Sequence, residues 1–181
     1  MKDDYKVKGS SIRSKFEFVK ERYGPEAEAR LREKFGRRPE LSPLLDTAWY
    51  PFALYEELNL AIAREFFSGD VARLREVGSY SASLALRTTY RAFVLGKDFV
   101  TFLRGTSTYY QTFYNQGDVQ VTIGDDGNTA DLLFSGAPVY TETDLQVAVG
   151  FFVEAGRLLG VTNITGTGSF GRGSAHVKLT W

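Results

Sequence analysis

The hydrophobic pattern of this 181-residue chain changes its period near Gly117. Before that point, apolar residues recur at the spacing of helices, whereas from Val119 they alternate with polar residues as in strands. Only residues 144–159 return to a helical spacing. Because a run of helices followed by a run of strands is typical of α+β folds, the sequence predicts an α+β domain. The expected order is an N-terminal helical half of about five helices, then a β-β-α-β-β antiparallel sheet.

Proline, glycine and polar residues divide the helical half. Helices are expected to begin near Ser10 or Ser11, Pro25, Pro51, Asp70 and Asp98, and the last one to end at Asn115. On the first helix, Lys15 is assigned to the outer, solvated face. The middle of the fourth helix, from Gly78 to Ala85, is rich in small side chains. Such a face would let another helix or a second subunit approach closely.

Two pairs of strands are expected after the helical half. They cover residues 119–123 and 130–134, joined by a turn at 125–128, and residues 161–165 and 175–181. In the last strand the odd-numbered residues form the apolar face. Residues 166–171 match G-x-G-x-x-G, but a strand-like run follows them, so they are interpreted as a flexible hairpin connection. The alternative is an anion-binding loop that uses Arg172.

Composition narrows the function classes. The formal net charge is zero, which argues against a dedicated nucleic-acid binder, and no apolar run is long enough to span a bilayer. The N-terminal residues lack the apolar core of a signal peptide, so a cytoplasmic location is expected. Residues 1–8 are predicted to be a loose tail, and residues 9–181 a single ligand-binding or partner-binding domain.

Side chains suited to catalysis or metal binding are scarce. The chain has no cysteine and a single histidine, His176, which is expected on the exposed face of the last strand. No nucleophile motif accompanies it, and the acidic residues near Asp125 are better explained as a turn than as a calcium loop. The sequence therefore predicts a non-enzyme with no catalytic residue, metal site or cofactor. Two buried, converging carboxylates in a cleft would favour an enzyme instead.

Aromatic residues are concentrated in the helical half. Tyrosines combine an apolar ring with a polar hydroxyl, which suits the walls of pockets and interfaces. The candidate ligand-binding residues are Trp49, Tyr50, Tyr80, Arg87 and Tyr90. Three of them, together with Ser83, fall at helical spacing and would form one stripe of hydroxyls and a guanidinium. The alternative is a hydrogen-bonded contact between helices.

Short motifs spread over most of the chain resemble a bacterial, myxobacterial-type paralogous family of unknown function. They are Lys8-Gly9, Arg13, Trp49-Tyr50-Pro51, Gly78 and Gly117-Asp118-Val119. The order of the elements also resembles TRAPP-like, 4-vinyl-reductase-like and haem-nitric-oxide-binding domains. These resemblances imply a small-molecule-binding or protein-binding domain, often dimeric through its helices, with an apolar cavity.

The chain departs from the haem-binding members of that group. Those members need an axial histidine from a helix, whereas His176 is expected on a strand. Their Tyr-x-Ser-x-Arg motif is not matched either, because Leu84 follows Ser83 in the run that begins at Tyr80. Haem is therefore not expected.

Two functions follow from the sequence. The first is a sensory or regulatory binding domain with an aromatic-lined pocket in the helical half for a small hydrophobic or lipid-like ligand. The second is a homodimeric protein-interaction scaffold without a small-molecule site. It is suggested by the small-residue face at Gly78–Ala85 and by the excess of basic residues before residue 116 and acidic residues after it.

Overall fold

The computed structural model describes residues 4–35, 41–88 and 91–181. The first elements pack around one apolar core. They are strand β1 (Lys6–Lys8), helix α1 (Gly9–Tyr23), helix α2 (Pro25–Phe35), strand β2 (Trp49–Pro51) and helix α3 (Phe52–Phe66). The short strands β1 and β2 pair antiparallel, and Pro25 occupies the first position of α2, as its fixed φ favours.

The remaining elements build a second core, although Leu74, Val77 and Val147 among them pack in the first one. They are a 3-10 turn (Val71–Arg73), helix α4 (Leu74–Arg87), a 3-10 turn (Arg91–Phe93), helix α5 (Phe99–Arg104), helix α6 (Thr106–Phe113), strand β3 (Asp118–Ile123), strand β4 (Thr129–Ser135), helix α7 (Glu142–Leu158), strand β5 (Thr165–Gly171) and strand β6 (Ser174–Thr180). The α+β class and the β-β-α-β-β order are confirmed. The described residues contain seven α-helices in all.

The C-terminal strands form an antiparallel sheet in the order β3-β4-β6-β5. Helix α7 covers one face of it, so that face is apolar. Val177 and Leu179 of β6 are fully buried there, whereas His176 and Lys178 lie on the other face, as the alternation predicts. The sheet and α7 together build the back wall of the functional site described below.

Three local predictions are wrong. Residues 5–8 are not a loose tail, because Tyr5 is buried in the core and β1 pairs with β2. Residues 49–51 form β2, so α3 begins at Phe52 rather than at Pro51. The predicted fifth helix is two helices, α5 and α6, with Gly105 between them. Glycine favours this break because it has a low helix propensity.

The glycine-rich segment is also not a flexible connection. Residues Gly166–Gly171 lie within β5, and the strand predicted at 161–165 begins only at Thr165. The glycines of β5 allow α7 to approach the sheet closely. A Cβ atom at Gly168 would lie 2.7 Å from Leu145 Cγ, a distance that real Cβ atoms do not tolerate.

Helices α4 and α7 cross at two glycines. A Cβ at Gly78 would lie 2.0 Å from the carbonyl oxygen of Val147, and a Cβ at Gly150 would lie 2.0 Å from that of Arg75. The small-residue face of α4 therefore receives another helix of the same chain. It offers no free surface for a second subunit at this point.

The described residues contain neither a membrane-spanning helix nor a cluster of metal ligands. Within residues 4–35, 41–88 and 91–181, none of the helices combines the length and apolar character that a membrane crossing requires. Across the same ranges, no three His, Cys, Asp or Glu side chains come together as metal ligands.

Candidate functional site: an internal cavity with one polar end

A cavity of about 270 Å³, partly open to solvent, lies between the N-terminal helices and the C-terminal sheet. Its walls come from α1, α3, α4, α5, α6, α7 and the sheet, so both halves of the chain build it. The sequence placed a pocket inside the helical half. The structure places the cavity at the boundary of the two halves, because α7 returns between the helices and the strands.

One end of the cavity is apolar. Phe134 of β4, Ala175 of β6 and Leu145 and Phe152 of α7 form it together with Phe102 of α5. All five side chains are buried. The Phe134 ring lies 6.2 Å from that of Phe152, a separation at which aromatic pairs attract each other. This end can accept hydrocarbon and offers it no hydrogen bond.

Asp144 is the centre of a polar part of the wall, called the polar end below. It lies in the first turn of α7, where Thr141 caps the helix by accepting a hydrogen bond from the Asp144 backbone N–H at 3.3 Å. The side-chain atom Oδ1 accepts hydrogen bonds from Tyr55 Oη at 2.9 Å and from Tyr114 Oη at 2.8 Å. Residues from α3, from the end of α6 and from α7 thus meet at one carboxylate.

Lys15 of α1 forms part of the wall beside this carboxylate. Its side chain is 1% exposed, so its sequence assignment to the solvated face is wrong. The ammonium nitrogen donates to the carbonyl oxygen of Ser11 at 3.2 Å and lies 3.9 Å from the centroid of the Tyr55 ring. The ring partly replaces the water that a lysine normally keeps.

Burial disfavours charge on both groups. It lowers the pKa of Lys15 to about 7, although the nearby carboxylates of Asp144 and Glu56 oppose that shift. Burial also raises the pKa of Asp144, against the effect of the tyrosine hydrogen bonds and Lys15. Their charges therefore depend on what else occupies the polar end.

Glu56 of α3 lies near the Asp144 carboxylate but outside the cavity wall. Its Oε2 accepts hydrogen bonds from the hydroxyls of Thr141, at 2.9 Å, and Thr143. Glu56 is not among the residues that line the cavity. It contributes negative charge near Asp144 without presenting its carboxylate to a ligand.

Two hydroxyls at the cavity wall lack partners. The Oγ of Ser10 and the Oγ1 of Thr106 are both buried, and neither has a hydrogen-bond partner in the structure. Because a buried hydroxyl without a partner costs free energy, each is an available contact for a molecule in the cavity. At the rim, Arg13 forms an ion pair with Asp46.

The residues predicted to bind a ligand lie elsewhere. Trp49 is half exposed on β2 beneath the Lys8 ammonium group, and the Tyr50 hydroxyl accepts from the backbone N–H of Leu45. Tyr80 packs edge-on against Phe18. None of Trp49, Tyr50, Tyr80 and Arg87 lines the cavity, and Tyr90 lies outside the described residues. Their role as ligand contacts stays a prediction.

The stripe predicted on α4 is not a single surface. Tyr80 faces α1, whereas the Ser83 hydroxyl donates to Glu154 of α7 at 2.8 Å. The residues that do line the polar end were missed. One signal for Lys15 was available, because it lies between Ile12 and Phe16, within the apolar stripe of α1.

The comparisons with known proteins concern the fold. No protein-family model and no curated protein matches the chain. An oxygen-binding H-NOX domain related to soluble guanylate cyclases, solved as its oxygen complex, gives a TM-score of 0.72 at 10% identity, over 96% of this chain and 94% of that one. The chain has the H-NOX fold.

Other solved H-NOX structures agree. One from work on the mechanism of H-NOX activation gives a TM-score of 0.73 at 10% identity, over 95% of this chain and 94% of that one. An unliganded Fe(II) H-NOX mutant from K. algicida gives a TM-score of 0.66 at 11% identity, over 96% of this chain and 95% of that one. The expected likeness to haem-nitric-oxide-binding domains is confirmed for the fold. The resemblances to the bacterial paralogous family and to TRAPP-like and 4-vinyl-reductase-like domains stay predictions.

The fold raises the question of haem, since another similar structure comes from work on haem redox potential and porphyrin distortion. Haem iron is held by histidine, cysteine, methionine or tyrosine ligands. No described residue lining the cavity carries an imidazole or a thiolate, and His176 pairs with Asp131 on the sheet. The Tyr55 and Tyr114 hydroxyls donate to Asp144, and the Tyr109 hydroxyl donates to the Phe93 carbonyl oxygen. Burial raises the pKa values of Tyr55, Tyr110, Tyr114 and Tyr140, which disfavours a tyrosinate ligand. The residues present do not fit haem.

Proposed function

We propose that this chain is a non-catalytic sensory or regulatory domain that binds a small apolar ligand with one polar end. The observation that carries this proposal is the contrast between the apolar and the polar parts of the cavity wall. The aromatic and aliphatic part suits hydrocarbon, and the carboxylate of Asp144 suits a polar group beside it. Ligand sites in proteins commonly combine an apolar cavity with a few placed polar groups.

The size of the cavity limits the ligand. Its volume of about 270 Å³ lies just below the range of sites for drug-sized molecules. We therefore favour a short hydrophobic molecule over a lipid with long acyl chains.

A non-catalytic role agrees with the arrangement of the acidic groups. Two carboxylates that converged on the cavity would favour an enzyme. The described acidic residues that line it are Glu17, Asp46 and Asp144, and Asp46 is held in an ion pair with Arg13. The nearby Glu56 is held by two threonine hydroxyls. A homodimeric scaffold stays a prediction, and the face of α4 that suggested it is covered by α7.

Octanol is a suitable first probe because it pairs a short hydrocarbon tail with one hydroxyl. We expect it to raise the melting temperature of the protein and to be retained in native mass spectrometry. Ala148→Phe, which fills the cavity from α7, should abolish both effects. Ala29→Phe, on the exposed surface of α2, is the matched control and should bind octanol as the unmodified protein does.

The proposal fails if octanol neither stabilises the protein nor is retained. It also fails if Ala148→Phe, shown to be folded by circular dichroism, binds octanol as well as Ala29→Phe does.

A further inference from the structure

One oxygen of the Asp144 carboxylate accepts no hydrogen bond from a described residue. Both tyrosine hydroxyls donate to Oδ1, and Oδ2 has no hydrogen-bond partner among the described residues. Asp144 lines the cavity and keeps part of its surface accessible from it. A carboxylate oxygen that is surrounded by protein and has no partner is a strong acceptor for a charged donor.

The charges around this oxygen favour a cation. Asp144 and Glu56 contribute two carboxylates, and Lys15 contributes one amine. With all three ionised, the polar end carries one net negative charge. A ligand carboxylate would add a third negative group, whereas a ligand ammonium would neutralise the excess.

Lys15 does not serve as an anion-binding group here. Its side chain is almost completely covered, and its nitrogen is held between the Ser11 carbonyl and the Tyr55 ring. The other basic side chain of the wall, Arg13, is paired with Asp46. The charge of Arg13 is therefore already balanced by a protein carboxylate, and that of Lys15 is covered.

Aromatic rings surround the same end. Tyr110 and Tyr114 are stacked with their centroids 4.6 Å apart, and both line the cavity with Tyr55 and Tyr140. The faces of tyrosine rings attract cations, and this attraction strengthens where water is excluded. The phenols stay neutral because burial raises the pKa values of Tyr55, Tyr110 and Tyr114.

We propose that the cavity selects a small apolar amine whose ammonium group donates to the Oδ2 of Asp144 among the tyrosine rings. This inference rests on the proposed function and names the class of ligand. The hydrocarbon part of the amine would extend toward Phe134 and Phe152.

Three probes with the same tail and different polar ends test the choice of ligand: octylamine, octanol and octanoate. Near pH 8, octylamine is protonated and octanoate is ionised. By calorimetric titration we expect octylamine to bind on the order of tenfold more tightly than octanol. Octanoate should bind most weakly. Equal or tighter binding of octanoate would overturn the inference.

Asp144→Asn keeps the shape of the side chain and removes its charge. We expect the ratio of octylamine affinity to octanol affinity to fall by about tenfold in this variant. Asp131→Asn removes a carboxylate that pairs with His176 on the sheet, away from the cavity, and serves as the control with an unchanged ratio. A ratio unchanged in Asp144→Asn would contradict the assignment of the ammonium group to Asp144.

Lys15→Met should change the affinities for octylamine and octanoate in opposite directions. At about pH 6, where Lys15 is mostly protonated, removing the buried amine should tighten octylamine binding by about threefold or more, because a competing cation disappears. An anion-binding site would instead lose affinity for octanoate. Weaker octylamine binding in Lys15→Met would contradict the inference.

Affinity should also depend on pH. The charged and titratable groups that face Lys15 are Asp144 of α7 and Glu56 and Tyr55 of α3. Between about pH 6 and pH 9, Lys15 loses its proton and octylamine keeps its own, so octylamine binding should strengthen. Ionisation of Asp144 acts in the same direction, and Lys15→Met should reduce the rise. A fall in affinity with rising pH would oppose the inference.

The outcomes separate this inference from the proposed function. If octanol binds and octylamine shows no advantage, the cavity is a ligand site without selectivity for amines. If none of the three probes binds, both the inference and the proposed function fail.

Discussion

The two ends of the cavity differ in what they cost the fold. At the apolar end, Phe134 and Phe152 are buried against each other and stabilise the protein through burial and packing. At the polar end, Lys15 and Asp144 are buried, and burial disfavours their charged forms. It lowers the pKa of Lys15 and raises the pKa of Asp144. One end supports folding, and the other opposes it.

This difference indicates where function lies. A methionine in place of Lys15 would fill similar space without a desolvated amine. A costly buried charge beside an accessible carboxylate is typical of a binding site. At such sites the free energy of unfolding is often lower than the fold could reach. The predictions below test this contrast, from the largest expected effect to the smallest.

The largest effect is expected at the apolar end. Phe134→Ala should lower the free energy of unfolding by about 3–5 kcal/mol, because it removes a buried ring and enlarges the cavity. Urea denaturation measures the loss. Phe170→Ala, at an exposed phenylalanine of β5, is the matched control and should change stability by less than about 0.5 kcal/mol. Equal losses in the two variants would show that this end is not part of the core.

Lys15→Met should raise the stability of the protein, whereas Phe134→Ala lowers it. At about pH 6 we expect the free energy of unfolding to rise by about 1–4 kcal/mol, since a buried amine is removed. The folded-state pKa of Lys15 is lowered to about 7, so the unfolded chain binds more protons above that pH. Unmodified protein therefore gains stability as pH rises from about 7 to about 10, and the advantage of Lys15→Met shrinks.

Urea denaturation at both ends of this pH range measures that advantage. Lys20→Met, at an exposed lysine of the same helix, controls for loss of charge alone. Destabilisation by Lys15→Met at about pH 6 would contradict the contrast between the two ends.

A smaller effect is expected for the tyrosine hydroxyls. Tyr114→Phe removes a hydrogen bond to the Asp144 carboxylate and should cost about 1.5–3 kcal/mol. Tyr110→Phe removes a bond between neutral hydroxyls, with Tyr5 at 3.1 Å, and should cost about 0.5–1.5 kcal/mol. Urea denaturation compares the two variants. The reverse order would show that Asp144 is not the stronger acceptor.

The smallest effect is expected on the far face of the sheet. His176 lies 3.4 Å from Asp131, and both side chains are substantially exposed. His176→Gln should change the free energy of unfolding by less than about 0.5 kcal/mol and leave octanol binding unchanged. Loss of octanol binding in this variant would show that His176 contributes to the ligand site.

The order of the elements could be predicted from hydrophobic spacing, because one face of each helix and strand is buried in the native fold. The odd-numbered face of β6 and the helix that begins after Thr141 are examples. The strand at Gly166–Gly171 could not, since it depends on α7, which approaches the sheet through these glycines. Local spacing carries no information about such an approach.

The site was harder to predict than the fold. The two tyrosine partners of Asp144 come from elements that are distant from it in the sequence. Lys15 was placed in solvent because lysines are almost always exposed. A charged residue inside an apolar stripe was the available signal, and its meaning depends on which side chains face it.

Occupation of the cavity by a small apolar molecule is the point on which everything else depends. Alanine methyl groups labelled for NMR report on it directly, since Ala148 and Ala175 line the cavity and Ala27 lies in the N-terminal core. On addition of octanol, we expect the Ala148 and Ala175 methyl signals to shift and saturate together, while Ala27 stays unchanged. Signals from Ala148 and Ala175 that do not move at any octanol concentration would contradict a ligand site at this place.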